Sequence, residues 1–309
     1  MKVMGIHAGR KNGNSSVLIK EALIACQEMG AEVRLINLHD YKIQPCSGCG
    51  ICMRSMVDGK RPTCMYDDKD DMKKIMDIFL QQDGFIIGVP TYDLMPSGIY
   101  INFANRFLPY EAIFLKKIGV IDRIKERAAG IIATGGSTRS WMSMVLEGIN
   151  ATMFMQSIKV VDQFLAVQCN LPGQAALYPY YLARARRVGE NVMKTIGMPE
   201  DQRKWLGEDE GWCPVCHSNS LSLGEPHWDG VQFPIECQVC GAGGDLERGP
   251  EGQWKFVPAP DGLAKCRINN DGRENHFYEI QKGNQFGREN MELILQKMEK
   301  YKKMYFPSI

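Results

Sequence analysis

The sequence has no long hydrophobic run, no excess of charge of either sign, no internal repeat and no low-complexity stretch. Each absence closes a class of function. Nothing approaches the length and apolarity of a membrane span, and residues 1–10 read as a strand rather than a secretory leader. A formal charge of +1 over 309 residues gives no electrostatic case for nucleic acid or an anionic membrane as the main partner. Two nucleotide loops are also missing. There is no Gly-x4-Gly-Lys-Ser/Thr, which sets ATP aside, and no Gly-x-Gly-x-x-Gly, which sets dinucleotides aside. No Ser–His–Asp order or carboxylate pair points to hydrolysis. The expectation is a cytoplasmic protein with no membrane and no nucleic-acid partner.

Cysteine, in contrast, is abundant: eleven residues, eight of them in two tight groups. In a chain of this length without a leader, such grouping points to metal ligation in a reducing compartment rather than to disulfides.

Apolar strand-like runs at Lys2–His7, Glu32–Asn37, Gly84–Val89, Ala128–Thr134 and Lys159–Val167 alternate with helical patterns near 15–29, 68–82, 97–108, 140–155 and 180–197. Five short apolar strands separated by helices predict an α/β fold, a flavodoxin-like doubly wound five-stranded parallel sheet covering residues 1–198. A change of texture near Pro199 predicts a second unit, a small β-rich four-cysteine metal module over 211–275. A terminal helix over 286–304 carries Met291, Ile294, Leu295, Met298 and Tyr301 at helical spacing, and is expected to pack back on the body.

Three loops at the carboxyl ends of the predicted strands carry the chemistry, where a doubly wound sheet binds its ligands. In the first, Gly9-Arg10-Lys11-Asn12-Gly13-Asn14-Ser15-Ser16, a strand gives way to a Gly-, Asn- and Ser-rich turn and at once to a helix. Backbone amides, hydroxyls and the positive end of the helix dipole converge there, a site suited to phosphate. Asn14, Ser15 and Ser16 can cap the helix or donate hydrogen bonds, and Arg10 adds a fixed charge. The second loop, Pro90-Thr91-Tyr92-Asp93-Leu94, offers a stackable apolar wall and backbone amides. The third, Thr134-Gly135-Gly136-Ser137, lets backbone approach a ring edge. Together they describe a pocket for a phosphorylated planar heterocycle.

These loops resemble the FMN-binding loops of the flavodoxin-like NADPH-dependent FMN reductase superfamily, and with the first cysteine group the chain is similar to its iron–sulfur flavoprotein branch. The resemblance implies that Arg10, Asn12, Asn14 and Ser15 hold the FMN phosphate, while Thr91, Tyr92, Leu94 and Gly135 to Ser137 line the isoalloxazine. It also implies a homo-oligomer, a homodimer or homotetramer. One departure is His7-Ala8, where the family usually has Ser and Pro, which removes a hydroxyl contact to the phosphate or puts an imidazole in its place.

Cys46-x2-Cys49-x2-Cys52 has the spacing that wraps one face of a cubane, and Cys64 is the expected fourth ligand of a [4Fe–4S] cluster. Gly48 and Gly50 permit the tight turn such a cluster needs. In the related iron–sulfur flavoproteins the fourth Cys follows the third more closely than Cys64 does here. Free thiols, a redox-sensing dithiol or zinc remain the other readings. The acidic run Asp67, Asp68, Asp70 and Asp71 is read as the start of the next helix rather than a cation site. Cys213-x2-Cys216 and Cys237-x2-Cys240 form two knuckles with zinc-ribbon separation; Zn2+ is the expected occupant, with rubredoxin-like iron as the alternative. Cys169 and Cys266 carry no signal. Trp141, one turn past Ser137, begins a Met-rich helix read as core, with contact to flavin or substrate as the alternative.

The expectation that follows is an FMN-dependent oxidoreductase. It passes electrons between a [4Fe–4S] cluster or NAD(P)H and FMN to reduce a small-molecule acceptor, with ferredoxin or NAD(P)H as donor. The alternatives are a cluster-free NAD(P)H:FMN or quinone reductase, and a flavin-sensing binding protein whose ribbon docks a partner.

Overall fold

The computed structural model describes residues 1–227 and 229–306. Strands β1 (Lys2–His7), β2 (Glu32–Asn37), β3 (Gly84–Tyr92), β5 (Arg127–Thr134) and β6 (Ile158–Ala166) form a parallel sheet in the order β2-β1-β3-β5-β6, with the two-residue β4 (Met95–Pro96) antiparallel to β3. The order runs outward in both directions from β1, so a crevice opens beyond the strand ends where it reverses. All five predicted parallel strands are present, displaced by no more than a few residues at an end.

Long apolar stretches in β3 and β5 are buried on both faces, which requires helices on each side. On one face Leu18, Ile19, Ala22 and Leu23 of α1 (Asn14–Glu28) interlock with Ala185, Val188 and Val192 of α7 (Pro179–Thr195). On the other lie α3 (Met72–Phe79), α4 (Gly98–Ala104) and α6 (Val145–Phe154), with Phe79, Phe85, Phe103 and Phe107 in one aromatic cluster, while α2 (Ile51–Val57) and α5 (Ala112–Lys117) form a separate small cluster with Phe277. Each fully buried side chain of this size contributes about 1.5–3 kcal/mol. Ala22 and Gly189 mark where α1 and α7 touch: a Cβ on Gly189 would lie 2.1 Å from the Ala22 carbonyl oxygen.

The second unit is an antiparallel sheet in the order β10-β9-β8-β7, from β7 (Leu221–Leu223), β8 (Ile235–Cys237), β9 (Gly243–Arg248) and β10 (Trp254–Pro258), followed by the short α8 (Pro260–Ala264). It is docked on α6 and β6. Asn150 Nδ2 donates to the Cys216 carbonyl at 3.2 Å, Gln163 Nε2 donates to the His217 carbonyl at 3.3 Å, and the His217 ring stacks on Trp205 at 4.1 Å.

The C-terminal helix departs from expectation. The helix against the body is α9 (Asn270–Glu289), which places Phe277 5.4 Å from Phe114 and pairs Arg288 with Asp58 at 2.7 Å. The chain bends at Asn290, and α10 (Met291–Lys302) swings out with no buried residue. Met291, Ile294, Leu295, Met298 and Tyr301 are all exposed, so the stripe expected to pack back does not do so within one chain. The sequence predicts the terminal helix only from 286 and no helix over 270–285; Gly283 lies within α9 and Gly287 near its end, and neither faces a neighbour that would exclude a side chain. Among the described residues no helix is long and apolar enough to cross a membrane.

Candidate functional site

The phosphate loop joins β1 to α1. Gly13, the residue before the helix, makes no side-chain cap, leaving the first-turn amides without that partner. Gly9, Arg10, Gly13, Asn14 and Ser15 line a cavity of about 170 Å³ with Pro90, Thr91, Tyr92, Thr134, Gly135 and Gly136. The three predicted loops therefore meet at one sheet edge. A second cavity, of about 400 Å³, shares Thr91, Gly135 and Gly136 with the first and extends past Asp93, Leu94 and Ser137 to Trp141 and Met142.

Several features fit a flavin nucleotide here. Thr91 Oγ1 is buried without a hydrogen-bond partner, an orphan polar atom on the wall common to both cavities. Asp93 and Leu94 hold φ of +47° and +72°, strain confined to the tight turn between β3 and β4 that faces the second cavity. A Cβ on Gly135 would lie 1.9 Å from Met142 Sδ and one on Gly136 2.7 Å from Asn170 Oδ1, so a larger residue at either position requires those side chains to move.

Not every expected residue faces the cavity with its side chain. The Asn14 carboxamide, expected on the phosphate, is engaged elsewhere: Nδ2 donates to the Cys169 and Leu171 carbonyls at 2.8 and 3.0 Å, and Oδ1 accepts from Ala175 N at 2.9 Å. It braces the loop after β6. Asn12 is exposed and Ser16 is buried in the helix start. His7 points behind the loop, with Nε2 3.0 Å from Ser15 Oγ. Burial, with smaller effects from His39 and Lys20, lowers its pKa to about 4, so the ring is neutral.

The loop after β6 carries residues that sequence reasoning missed: Cys169, Asn170 and Pro172 line the phosphate cavity. Cys169 N donates to the Gly135 carbonyl at 2.9 Å, which seats this loop on the Gly-Gly turn. The available signal was Asn-Leu-Pro-Gly at a strand end. Trp141 is 67% exposed and lines the second cavity.

Cys46, Cys49, Cys52 and Cys64 are exposed or half-buried. Gly48 and Gly50 both adopt left-handed φ, +67° and +71°, and Gly50 opens α2, which carries Cys52. Burial raises the Cys52 thiol pKa, and the charges of Cys64, Cys46 and Cys49 add to the rise, which places Cys52 within electrostatic reach of the other three. The acidic run leads into α3, with Asp71 at its N-cap and the Asp70 carboxylate accepting from Met72 N at 3.1 Å, and it has a further role. Asp67 accepts from Cys64 N, Asp70 from Gln44 N and from the buried Arg106, and Asp71 from Lys42 N. These carboxylates tie down the cysteine loop, because backbone amides and a buried cation reach them before the helix begins.

In the ribbon, the sulfurs of Cys213, Cys216, Cys237 and Cys240 all lie within 4.8 Å of one another and are buried. That is a donor set for a tetrahedral metal. Cys237 is held far below the ordinary thiol range by hydrogen bonds from the other three, while Cys240 is driven far above it by the same neighbours and by Cys266. Cys266, which carried no signal, is thus part of the ribbon core. His217 takes no part as a ligand: Nδ1 lies 2.8 Å from the Glu210 carbonyl.

A family model for NADPH-dependent FMN reductases matches residues 1–170. A flavone synthase of Aspergillus candidus is 23% identical over 92% of this chain and 90% of its own. An iron–sulfur flavoprotein of Methanocaldococcus jannaschii is 31% identical over 52% of this chain and 76% of its own. Among solved structures, a flavone reductase superposes with a TM-score of 0.75 at 21% identity, covering 100% of this chain and 99% of that one. The loops, the sheet order and these likenesses together place the chain in the NADPH-dependent FMN reductase family, in its iron–sulfur flavoprotein branch, as an FMN-dependent oxidoreductase.

Proposed function

We propose that the chain uses FMN to reduce a planar conjugated small molecule. The observation that carries this is the pair of joined cavities, one closed by the phosphate loop and the other ending at Trp141. In this reading Arg10, Ser15 and the first-turn amides of α1, which line the first cavity, hold the phosphate. Pro90, Thr91, Tyr92, Leu94, Thr134, Gly135, Gly136 and Ser137 hold the ring system. FMN bound there supplies transfer of electrons singly or in pairs. Thr91 donates its otherwise unpartnered hydroxyl, and the strained Asp93–Leu94 turn fixes the ring plane. Trp141, Leu94 and Met142 offer an apolar wall to a flat acceptor. The flavone synthase and flavone reductase relatives favour an acceptor of flavonoid type.

Electrons enter from NAD(P)H or from a one-electron carrier such as ferredoxin, the latter through a [4Fe–4S] cluster on Cys46, Cys49, Cys52 and Cys64. The ribbon cysteines hold zinc, and their place in a buried core makes the metal structural. The protein acts as a homodimer or homotetramer in this reading, and the uncovered stripe of α10 supports it.

Anaerobic purification with a visible spectrum and analysis of iron, acid-labile sulfide and zinc tests these assignments, followed by NADPH or dithionite reduction and turnover of flavone against menadione. Expected are bound FMN, four irons per chain, one zinc and flavone-dependent reoxidation. Colourless protein that refuses micromolar FMN overturns the reading. FMN with neither iron nor sulfide, bleached at once by NADPH, replaces it with the cluster-free reductase.

A further inference from the structure

Arg106 follows α4 and is 2% exposed, yet two of its guanidinium nitrogens have no hydrogen-bond partner. The third, Nη1, donates to the Gln44 carbonyl at 2.8 Å and to Asp70 Oδ2 at 2.6 Å. The Tyr66 ring lies against the guanidinium, 5.1 Å from its centre. All these contacts come from the two segments that flank the first cysteine group. Gln44 precedes Cys46, and Tyr66 and Asp70 follow Cys64. Cys64 is itself held in this wrap, its amide donating to Asp67 Oδ2 at 2.9 Å, while Asp67 Oδ1 accepts from Tyr110 at 3.4 Å. Cys64 is near enough to the guanidinium for its charge to favour the cation.

A buried cation with donors left unsatisfied is costly, and such orphans are commonly completed by a group absent from the protein alone. A [4Fe–4S] cluster presents sulfur acceptors and negative charge, which matches two orphan N–H groups on a fixed cation. The same arrangement ties the segment that carries Cys64 to the one that precedes Cys46.

We propose that Arg106 is a positioning residue for the iron–sulfur centre, its Nε and Nη2 donating to the Cys64 sulfur and to the cluster sulfur beside it. This rests on the reading of Cys46, Cys49, Cys52 and Cys64 as cluster ligands. Two effects follow. The loop carrying Cys64 is pinned around the guanidinium, so the cluster is retained. The cluster gains negative charge on reduction, and an adjacent donor cation favours that state, so Arg106 raises its midpoint potential.

The test is a redox titration of the cluster, followed by electron paramagnetic resonance, on anaerobically purified full-length wild type, R106K and R106Q. Iron, sulfide and FMN are measured on the same samples. R106Q is expected to hold normal FMN, to lose cluster more readily, and to show a lower midpoint potential in the fraction that stays loaded. R106K keeps the charge but not the forked donors and shows a smaller downward shift. If R106Q fails to fold, judged by FMN content, the R106K potential decides the matter. Loaded variants with the wild-type potential and spectrum overturn this inference alone. Wild-type protein with bound FMN but neither iron nor sulfide overturns the ligand reading and this inference with it.

Discussion

Ser15 and His7 form a buried pair behind Gly9, the hydroxyl 3.0 Å from the imidazole Nε2. A Cβ on Gly9 would come within 2.8 Å of that hydroxyl and 3.1 Å of that nitrogen, so a larger residue there would displace the pair. The imidazole therefore supports the phosphate loop from behind and does not replace the missing family hydroxyl in front.

This pairing makes stability pH-dependent. His7 titrates at about 4 in the folded protein against 6.5 for an ordinary imidazole, chiefly because it is buried. Between those values the unfolded chain binds more protons than the folded one. Stability is therefore full above pH 6.5 and falls as pH drops towards 4, by about 3 kcal/mol at most. Urea unfolding at pH 7 and pH 4.5 measures the loss, and H7N should flatten that part of the profile. An unchanged slope in H7N would assign it to other groups.

Thr91 separates apo stability from cofactor binding. Its hydroxyl has no partner in the chain, so T91V should leave the apo protein as stable or slightly more so. FMN affinity should fall about fivefold, the value of one hydrogen bond of about 1 kcal/mol. Flavin fluorescence quenching gives the dissociation constant; equal affinity in T91V would remove Thr91 from the binding wall.

Asn14 acts through the loop it braces. N14A removes three hydrogen bonds to residues 169–175 and leaves their backbone groups to find water. A loss of about 1–3 kcal/mol in unfolding free energy is expected, with weaker FMN binding as the Cys169–Pro172 wall loosens. Hydrogen exchange confined to residues 168–176 would be the signature.

At the α1–α7 contact, G189A forces a methyl group against the Ala22 carbonyl. Backbone cannot yield as a side-chain tip does, so a loss of about 1–3 kcal/mol or more is expected from overpacking. The thermal midpoint should fall while FMN affinity in the surviving folded protein is kept.

Metal removal should unfold the ribbon and spare the flavin site. Four buried sulfurs within 4.8 Å of one another form much of that unit's core, and small metal modules depend on their ion for folding. With a strong chelator, proteolysis should open within 211–258 while the 1–198 region keeps FMN. Resistance of the ribbon after complete loss of zinc and iron would contradict the assignment.

The legible parts of this protein were the local ones. The strands β1, β2, β3, β5 and β6 could be read because each is a short apolar run bounded by turn residues. The Thr134–Ser137 turn and the Cys213–Cys240 knuckles could be read because their chemistry depends on spacing alone. The roles of Asn14, Cys169, Asp70 and Arg106 were hidden, since each is decided by a partner tens of residues away. Helix α9 was missed for a related reason: its sequence is polar and glycine-bearing, and Phe277 is apolar enough to matter only once Phe114 is opposite.

Composition and periodicity by themselves determined the doubly wound sheet and the edge that carries the loops, because these depend on neighbours within a few residues, and cysteine spacing marked the two knuckles of the ribbon. Tertiary structure alone decided which loop side chains face the cavity, that α10 stands free, and that a buried arginine joins the segments on either side of the first cysteine group. The physical reason is that hydrogen-bond partners and burial are properties of distance in space, which chain order does not encode.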